Sequence, residues 1–184
     1  MNREEDINKP ELFLRAAKPE DGARMYAFVR DHGVLELNSA YCYMIMAKHF
    51  GPHCVIAEVA DQADGAVGRR FAGFVLAYRP PAQPEDIFVW QIGVLPELRG
   101  RGIGRKMLGH LLTLPANRGV QYITATVARD NEPSRKLFRG LAEDMNVRCE
   151  ESEFFSADAF PESHVAEDLF RIGTFDAGGA TENL

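Results

Sequence analysis

Cysteine is scarce in this chain. Cys42, Cys54 and Cys149 are its three thiols among 184 residues, odd in number and widely spaced, which suits reduced side chains better than a disulfide framework or a zinc site. Tryptophan occurs once, at Trp90. No apolar run approaches the roughly 20 residues that a bilayer span requires, and the charged start Met1-Asn2-Arg3-Glu4-Glu5-Asp6 leads into no apolar stretch. Neither a membrane anchor nor a secretion signal is expected. Positive charge is in deficit as well: a net charge of −6 argues against general binding to nucleic acid or to an anionic membrane. The expected setting is the cytoplasm.

Against that acidic background the cationic cluster Arg99, Arg101, Arg105 and Lys106 stands out as local in purpose. It follows Phe88-Val89-Trp90-Gln91-Ile92-Gly93-Val94, where Phe88, Trp90, Ile92 and Val94 alternate with the others at the period of a strand. It precedes the helical repeat Ile103, Met107, Leu108, Leu111 and Leu112. Between them, glycines at 100, 102 and 104 leave backbone N–H groups uncovered at a helix start, where the dipole also favours an anion. A pyrophosphate suits such a site. The pattern is not a dinucleotide fingerprint, because Arg105 stands where the third glycine of G-x-G-x-x-G belongs, and it is not a P-loop, because Gly104-Arg105-Lys106 does not supply G-K-[ST].

At this length one domain, 10–175, is expected, burying about 70% of its unfolded surface; residues 1–9 and the apolar-poor tail 176–184 are expected to be disordered. A strand at Leu12–Arg15 is followed by a helix opening at Pro19-Glu20-Asp21-Gly22, with Met25, Phe28 and Val29 inward and Gly33 as its stop. Asn38-Ser39 caps a second helix running to Phe50. Strands at 54–59 and 71–78 flank a polar turn, and Arg79-Pro80-Pro81-Ala82-Gln83-Pro84 interrupts before the central strand. After the helix ending at Thr113 come a strand at 122–127, a helix opening at Asp130-Asn131-Glu132-Pro133 with Leu137, Phe138 and Leu141 inward, and closing strands at 147–155 and 169–175. This order predicts an α/β fold in which helices cover both faces of a mixed sheet.

Arg99-Gly100-Arg101-Gly102-Ile103-Gly104 resembles the acyl-CoA signature of the GNAT superfamily of N-acetyltransferases, (Gln or Arg)-x-x-Gly-x-(Gly or Ala), at every specified position. From about Leu12 to Phe175 the likeness narrows. Asn38-Ser39-Ala40-Tyr41-Cys42-Tyr43, Tyr78-Arg79-Pro80-Pro81, Phe88-Val89-Trp90-Gln91, Asp130-Asn131-Glu132-Pro133-Ser134-Arg135 and His164 with Glu167 resemble the diaminobutyrate acetyltransferases of ectoine synthesis. The resemblance implies the splayed GNAT sheet and acetyl-CoA as co-substrate. It also implies transfer to the 4-amino group of L-2,4-diaminobutyrate by direct attack in a ternary complex, and a homodimer. The apolar richness of the helix from Asn38 to Phe50 agrees with a dimer.

An amine attacks a thioester only as the free base, yet an alkylamine with a pKa around 10 is neutral in about one molecule per thousand at pH 7. The site must bind a cation and then accept its proton. The resemblance puts Glu36, Trp90, His164 and Glu167 around the diamine, with the Trp90 ring face available to the ammonium. It puts the pantetheine arm on the backbone of Ile92, Gly93 and Val94, with a bulge at Gly93 opening the strand. Arg99, Gly100, Arg101, Gly102, Ile103 and Gly104 would hold the pyrophosphate, and Asn131 either contacts the CoA arm or caps its helix. His164-Val165-Ala166-Glu167 would share a face on a helix, but with no second histidine cluster nearby no metal is expected. Many superfamily members carry an acidic tyrosine where this chain has Phe138; Tyr41 and Tyr43 are alternatives, each also suited to core packing. Either Arg79 or Arg171 can bind the substrate carboxylate. Two other readings stay open: an acetyltransferase for a different small amine, and a non-catalytic acyl-CoA sensor.

Overall fold

The computed structural model describes residues 11–33, 35–61 and 68–175. The expectations for 1–9, for 176–184 and for the turn after Asp61 lie outside these residues. The elements run β1 (Leu12–Ala16), α1 (Asp21–His32), α2 (Ala40–Phe50), β2 (Val55–Asp61), β3 (Gly68–Tyr78), β4 (Asp86–Val94), α3 (Ile103–Thr113), β5 (Tyr122–Ala128), α4 (Glu132–Asp144), β6 (Arg148–Phe155) and β7 (Glu167–Gly173). Seven strands form one sheet in the order β1-β2-β3-β4-β5-β7-β6, antiparallel throughout except for the parallel pair β4–β5.

Two of the expected helix starts have side-chain caps. The Ser39 side chain accepts the Cys42 N–H at 3.2 Å, and the Asn131 side chain accepts that of Ser134 at 3.2 Å, each satisfying a donor that the helix itself cannot. Gly33 ends α1 at φ +58 and donates to the Val29 carbonyl, a left-handed cap that costs glycine nothing sterically. The closing strand β7 begins and ends two residues earlier than predicted.

The two helix pairs cover opposite faces. Met25, Phe28 and Val29 of α1 with Tyr43, Met46 and Ala47 of α2 pack on Ile56, Phe74 and Leu76. Ile103, Met107, Leu108 and Leu111 of α3 with Phe138, Leu141 and Ala142 of α4 pack on Val55, Val75, Ile87, Val89 and Ile123. The predicted mixed sheet with helices on both faces is therefore observed. Arg15 and Arg24 join the β1–α1 region to β2: Arg15 bonds Asp21 at 2.7 Å and Glu58 at 3.1 Å, while Arg24 bonds the same two carboxylates at 3.1 and 2.9 Å. Burial by itself raises the Asp21 carboxyl, but the Arg15 hydrogen bonds, the Lys18 N–H and the two guanidinium charges outweigh it and hold the group below the usual carboxylate range.

Candidate active site

The parallel pair β4–β5 is short. Asp86, Ile87 and Phe88 face Tyr122, Ile123 and Thr124, and beyond them β4 continues to Val94 with β3 as its partner while β5 continues to Ala128 with β7. The backbone edges of Val89–Val94 and Ala125–Ala128 thus line a V-shaped cleft. Its closed end lies at Phe88 and its open end at the starts of α3 and α4.

The parting coincides with a bulge in β4. Leu76 pairs with Gln91 and Ala77 with Val89, so Trp90 is the extra residue. An inserted residue shifts a period of two by one position, and the packing records the shift. Val89, Ile92 and Val94 belong to the α3/α4 core, whereas Trp90 packs in the α1/α2 core, Gln91 bonds Tyr43 of α2, and Gly93 lies under Phe28 of α1. Strict alternation, which groups Trp90 with Ile92 and Val94, is overturned by this bulge. The bulge expected at Gly93 is also corrected, since Gly93 pairs regularly with Phe74. Glycine is needed there for another reason: a Cβ would come 2.7 Å from Cε1 of Phe28. The Ile92 and Val94 side chains join the core as expected, leaving their backbone at the cleft edge.

The glycine turn has the backbone geometry expected of it. Gly100 and Gly102 sit at φ +74 and +75, where a side chain would strain the backbone. Lys106 N–H is bonded to the Gly102 carbonyl at 3.1 Å, so the N–H groups of Ile103, Gly104 and Arg105 lie in the turn whose donors have no intrahelical partner. Gly104 serves packing instead: a Cβ would meet Leu137 of α4 at 3.1 Å. Arg99 Nε donates to the Val94 carbonyl at 3.1 Å, tying the turn to the end of β4, and the Arg101 side chain is exposed. Asn131 spends its Oδ1 on the α4 cap, and its Nδ2 is left to donate outward.

On the α1/α2 face the 35–39 loop crosses β4. Gln91 Nε2 donates to the Glu36 carbonyl at 2.9 Å, and the Tyr43 hydroxyl lies 3.1 Å from Gln91 Oε1. The Tyr43 ring stacks on Trp90 with centroids 6.5 Å apart and an interplanar angle of 25°. The structure therefore brings the Glu36 backbone, Trp90, Gln91 and Tyr43 together, with the Glu36 side chain exposed and Trp90 half-buried. Tyr43 is fully buried; Tyr41 is 71% exposed, so core packing describes Tyr43 and not Tyr41. The sequence alone did not single out Gln91 for these bonds, although a lone amide inside an apolar strand was the available signal.

His164 and Glu167 form a second group at the C-terminal end of β5. Glu167 pairs with Ala128 in register. His164 Nε2 lies 3.9 Å from Glu167 Oε1, its Nδ1 lies 2.6 Å from the Val165 carbonyl, and its ring stacks 3.9 Å from Phe160. His164 stands in a loop and Glu167 opens a strand, so the helical-face reading of H-x-x-E does not hold. Among the described residues no group of three or more His, Cys, Asp or Glu is placed to hold a metal. Next to Glu167, Asp168 is bonded by Arg129 and Arg135, each at 3.0 Å. No hydrogen bond or ion pair among the described residues joins the His164–Glu167 group to the Glu36–Trp90 group.

Two expectations are corrected by existing partners. Arg79 donates from Nε at 2.9 Å and from Nη2 to the Pro84 carbonyl, and from Nη1 at 3.2 Å to that of Arg118. Arg171 bonds Asp86 at 3.1 Å and covers the Tyr122 ring, beyond the closed end of the cleft. Neither is a free carboxylate receptor. Phe138 is 2% exposed beneath the sheet against Phe170, serving the core. The cysteines are free, and burial pushes the Cys54 thiol up to about 12, which leaves it unreactive.

A parallel strand pair parted by a bulge, with a glycine turn and a helix start at the open end, fits a thioester carrier: open strand edge for its arm, uncovered N–H groups for its diphosphate. Residues 17–142 match the acetyltransferase (GNAT) family, and the chain belongs to that family. It is 36% identical over 168 residues to the L-2,4-diaminobutyric acid acetyltransferase of Shouchella clausii, covering 91% of this chain and 89% of that protein. With the enzyme of the same name from Halalkalibacterium halodurans it shares 42% over 155 residues, 84% of this chain and 77% of that one. A solved structure of the Paenibacillus lautus diaminobutyrate acetyltransferase, in complex with its substrate L-2,4-diaminobutyric acid and coenzyme A, matches with a TM-score of 0.79 at 38% identity, over 90% of this chain and 96% of that one. Within the GNAT family the chain thus belongs to the diaminobutyric acid acetyltransferases.

Proposed function

We propose that the protein transfers acetyl from acetyl-CoA to the 4-amino group of L-2,4-diaminobutyrate by direct attack in a ternary complex. The product, N4-acetyl-L-2,4-diaminobutyrate, is the precursor cyclised to the compatible solute ectoine. The observation that carries this reading is the likeness, over nine-tenths of the chain, to a structure that holds both the diamine and coenzyme A. The cleft geometry supports it independently.

Acetyl-CoA supplies an electrophilic thioester carbonyl. The backbone edge of Ile92, Gly93 and Val94 is available to the pantetheine arm, and an N–H there can donate to the carbonyl oxygen as negative charge gathers on it. Arg99, Gly100, Arg101, Gly102, Ile103 and Gly104 hold the diphosphate, with Nδ2 of Asn131 donating to the arm. On the amine side Glu36 and Glu167 attract the ammonium, the Trp90 ring face stabilises it, and a carboxylate or His164 takes the proton released at attack. A homodimer accounts for the exposed apolar side chains Leu37, Tyr41 and Met44 on the α1–α2 side. The need for acetyl-CoA and the three free thiols support work in the cytoplasm.

The test mixes purified protein and acetyl-CoA with L-2,4-diaminobutyrate, ornithine, lysine or putrescine, follows thiol release, and assigns the acetylated nitrogen by NMR. Reaction at N4 of diaminobutyrate above all others is expected. Preference for another amine overturns the substrate assignment, and CoA binding without turnover of any amine makes the protein a sensor.

A further inference from the structure

Gln91 is 8% exposed, and its amide completes a hydrogen-bond circuit around the loop that carries Glu36. Asn38 N–H points to the Tyr43 oxygen at 3.5 Å, the Tyr43 hydroxyl donates to Gln91 Oε1 at 3.1 Å with the Glu36 carbonyl a longer second acceptor at 3.4 Å, and Gln91 Nε2 donates to the Glu36 carbonyl at 2.9 Å. The direction of the circuit selects the residue type. Position 91 must accept from a phenol and donate to a carbonyl at once, which a carboxamide does and a carboxylate or an apolar side chain does not. Tyr43 is fully buried, so water competes poorly for these bonds. The bulge at Trp90 gives the circuit its place, because without it Gln91 would face the α3/α4 core and Trp90 alone would face the loop.

We propose that Gln91 is a positioning residue for the amine substrate: through Tyr43 and the Glu36 carbonyl it holds the 36–38 backbone over β4, so that the Glu36 carboxylate and the Trp90 ring present one binding surface. The circuit couples the residue that bears the ring to the loop that bears the charge. Gln91 touches no substrate and acts through Glu36. The proposal rests on the proposed function, in which Glu36 binds the diamine.

Gln91→Met keeps length and apolar bulk but loses both hydrogen bonds. Its kcat/KM for diaminobutyrate is expected to fall roughly tenfold, the scale of one buried hydrogen bond, while KM for acetyl-CoA stays within about twofold. In a Glu36→Ala background the same substitution is expected to change kcat/KM by less than about twofold, because the group it positions is gone. Tyr43→Phe retains the ring stack on Trp90 and removes only the hydroxyl. It should lose roughly threefold, with the same dependence on Glu36, and it carries the test should Gln91→Met lack a cooperative melt. Equal losses in the wild-type and Glu36→Ala backgrounds, a matching rise in KM for acetyl-CoA, or wild-type kinetics in both variants would overturn the proposal. Failure of the unmutated protein to acetylate diaminobutyrate overturns the functional reading instead, so the two failures are distinguishable.

Discussion

Replacing Gly93 by alanine puts a Cβ 2.7 Å from Cε1 and 3.1 Å from Cζ of Phe28, and 3.2 Å from Cδ1 of Leu35. Carbon atoms rest about 3.5 to 4.0 Å apart, so the Phe28 ring must retreat by roughly 1 Å. It has little room. The ring is 4% exposed and held by Phe74 at 5.4 Å, Phe71 at 5.8 Å and His32 at 5.0 Å between centroids. Overpacking of this kind costs about 1 to 3 kcal/mol, which in a chain of this length lowers Tm by roughly 2 to 12 °C. Leu35 immediately precedes Glu36, so the strain also reaches the loop proposed to bind the amine, and kcat/KM for the diamine should fall with stability. Calorimetry on Gly93→Ala, Phe28→Leu and the double variant isolates the cause. Leucine at position 28 lacks the ring atoms that meet the new Cβ, so the double variant should be more stable than additivity predicts by about 1 kcal/mol or more. An unchanged Tm in Gly93→Ala, or strict additivity, would refute the packing account of this glycine.

Trp90→Leu removes the ring face proposed to stabilise the ammonium; at about 0.5 to 2 kcal/mol the KM for diaminobutyrate should rise roughly 2- to 30-fold in steady-state kinetics, with the calorimetric affinity for CoA retained. Asp21→Asn strips a carboxylate whose side chain is 3% exposed from two guanidiniums, and should cost about 3 kcal/mol in urea unfolding, the low end for a buried pair because both arginines keep some water. Because the folded state holds the Asp21 carboxyl below its usual range, its contribution is fully present above about pH 4 and is lost as pH falls through the depressed value. Acid unfolding of the wild type should therefore steepen below about pH 4, and the variant should lack that component. Arg79→Ala should leave diamine kinetics within about twofold and lower Tm by roughly 2 to 4 °C, the effect of losing about 1 kcal/mol of loop hydrogen bonding; a large rise in KM for the diamine would restore Arg79 as a carboxylate receptor.

The glycine turn was legible because its information is local. Glycines at alternate positions, a following period of 3.6 and nearby arginines dictate backbone geometry within a few residues, and the φ values of Gly100 and Gly102 agree. The caps Ser39 and Asn131 were readable for the same reason, since each acts on a donor three residues away. The arginines were not. Arg79 and Arg171 are chemically suited to a carboxylate, and only the folded chain reveals that carbonyl oxygens and Asp86 already occupy them.

Residue order by itself determined the succession of elements, the two-sided mixed sheet and the glycine turn, because hydrophobic period, caps and glycines act over short stretches of chain. Tertiary structure decided which face each β4 side chain meets. One inserted residue at Trp90 reverses the alternation, and its location depends on pairing with β3, a strand brought alongside only by folding. That long-range register puts Gln91 beside Tyr43 and under Glu36, 48 and 55 residues away in the chain, and no local pattern specifies such a meeting.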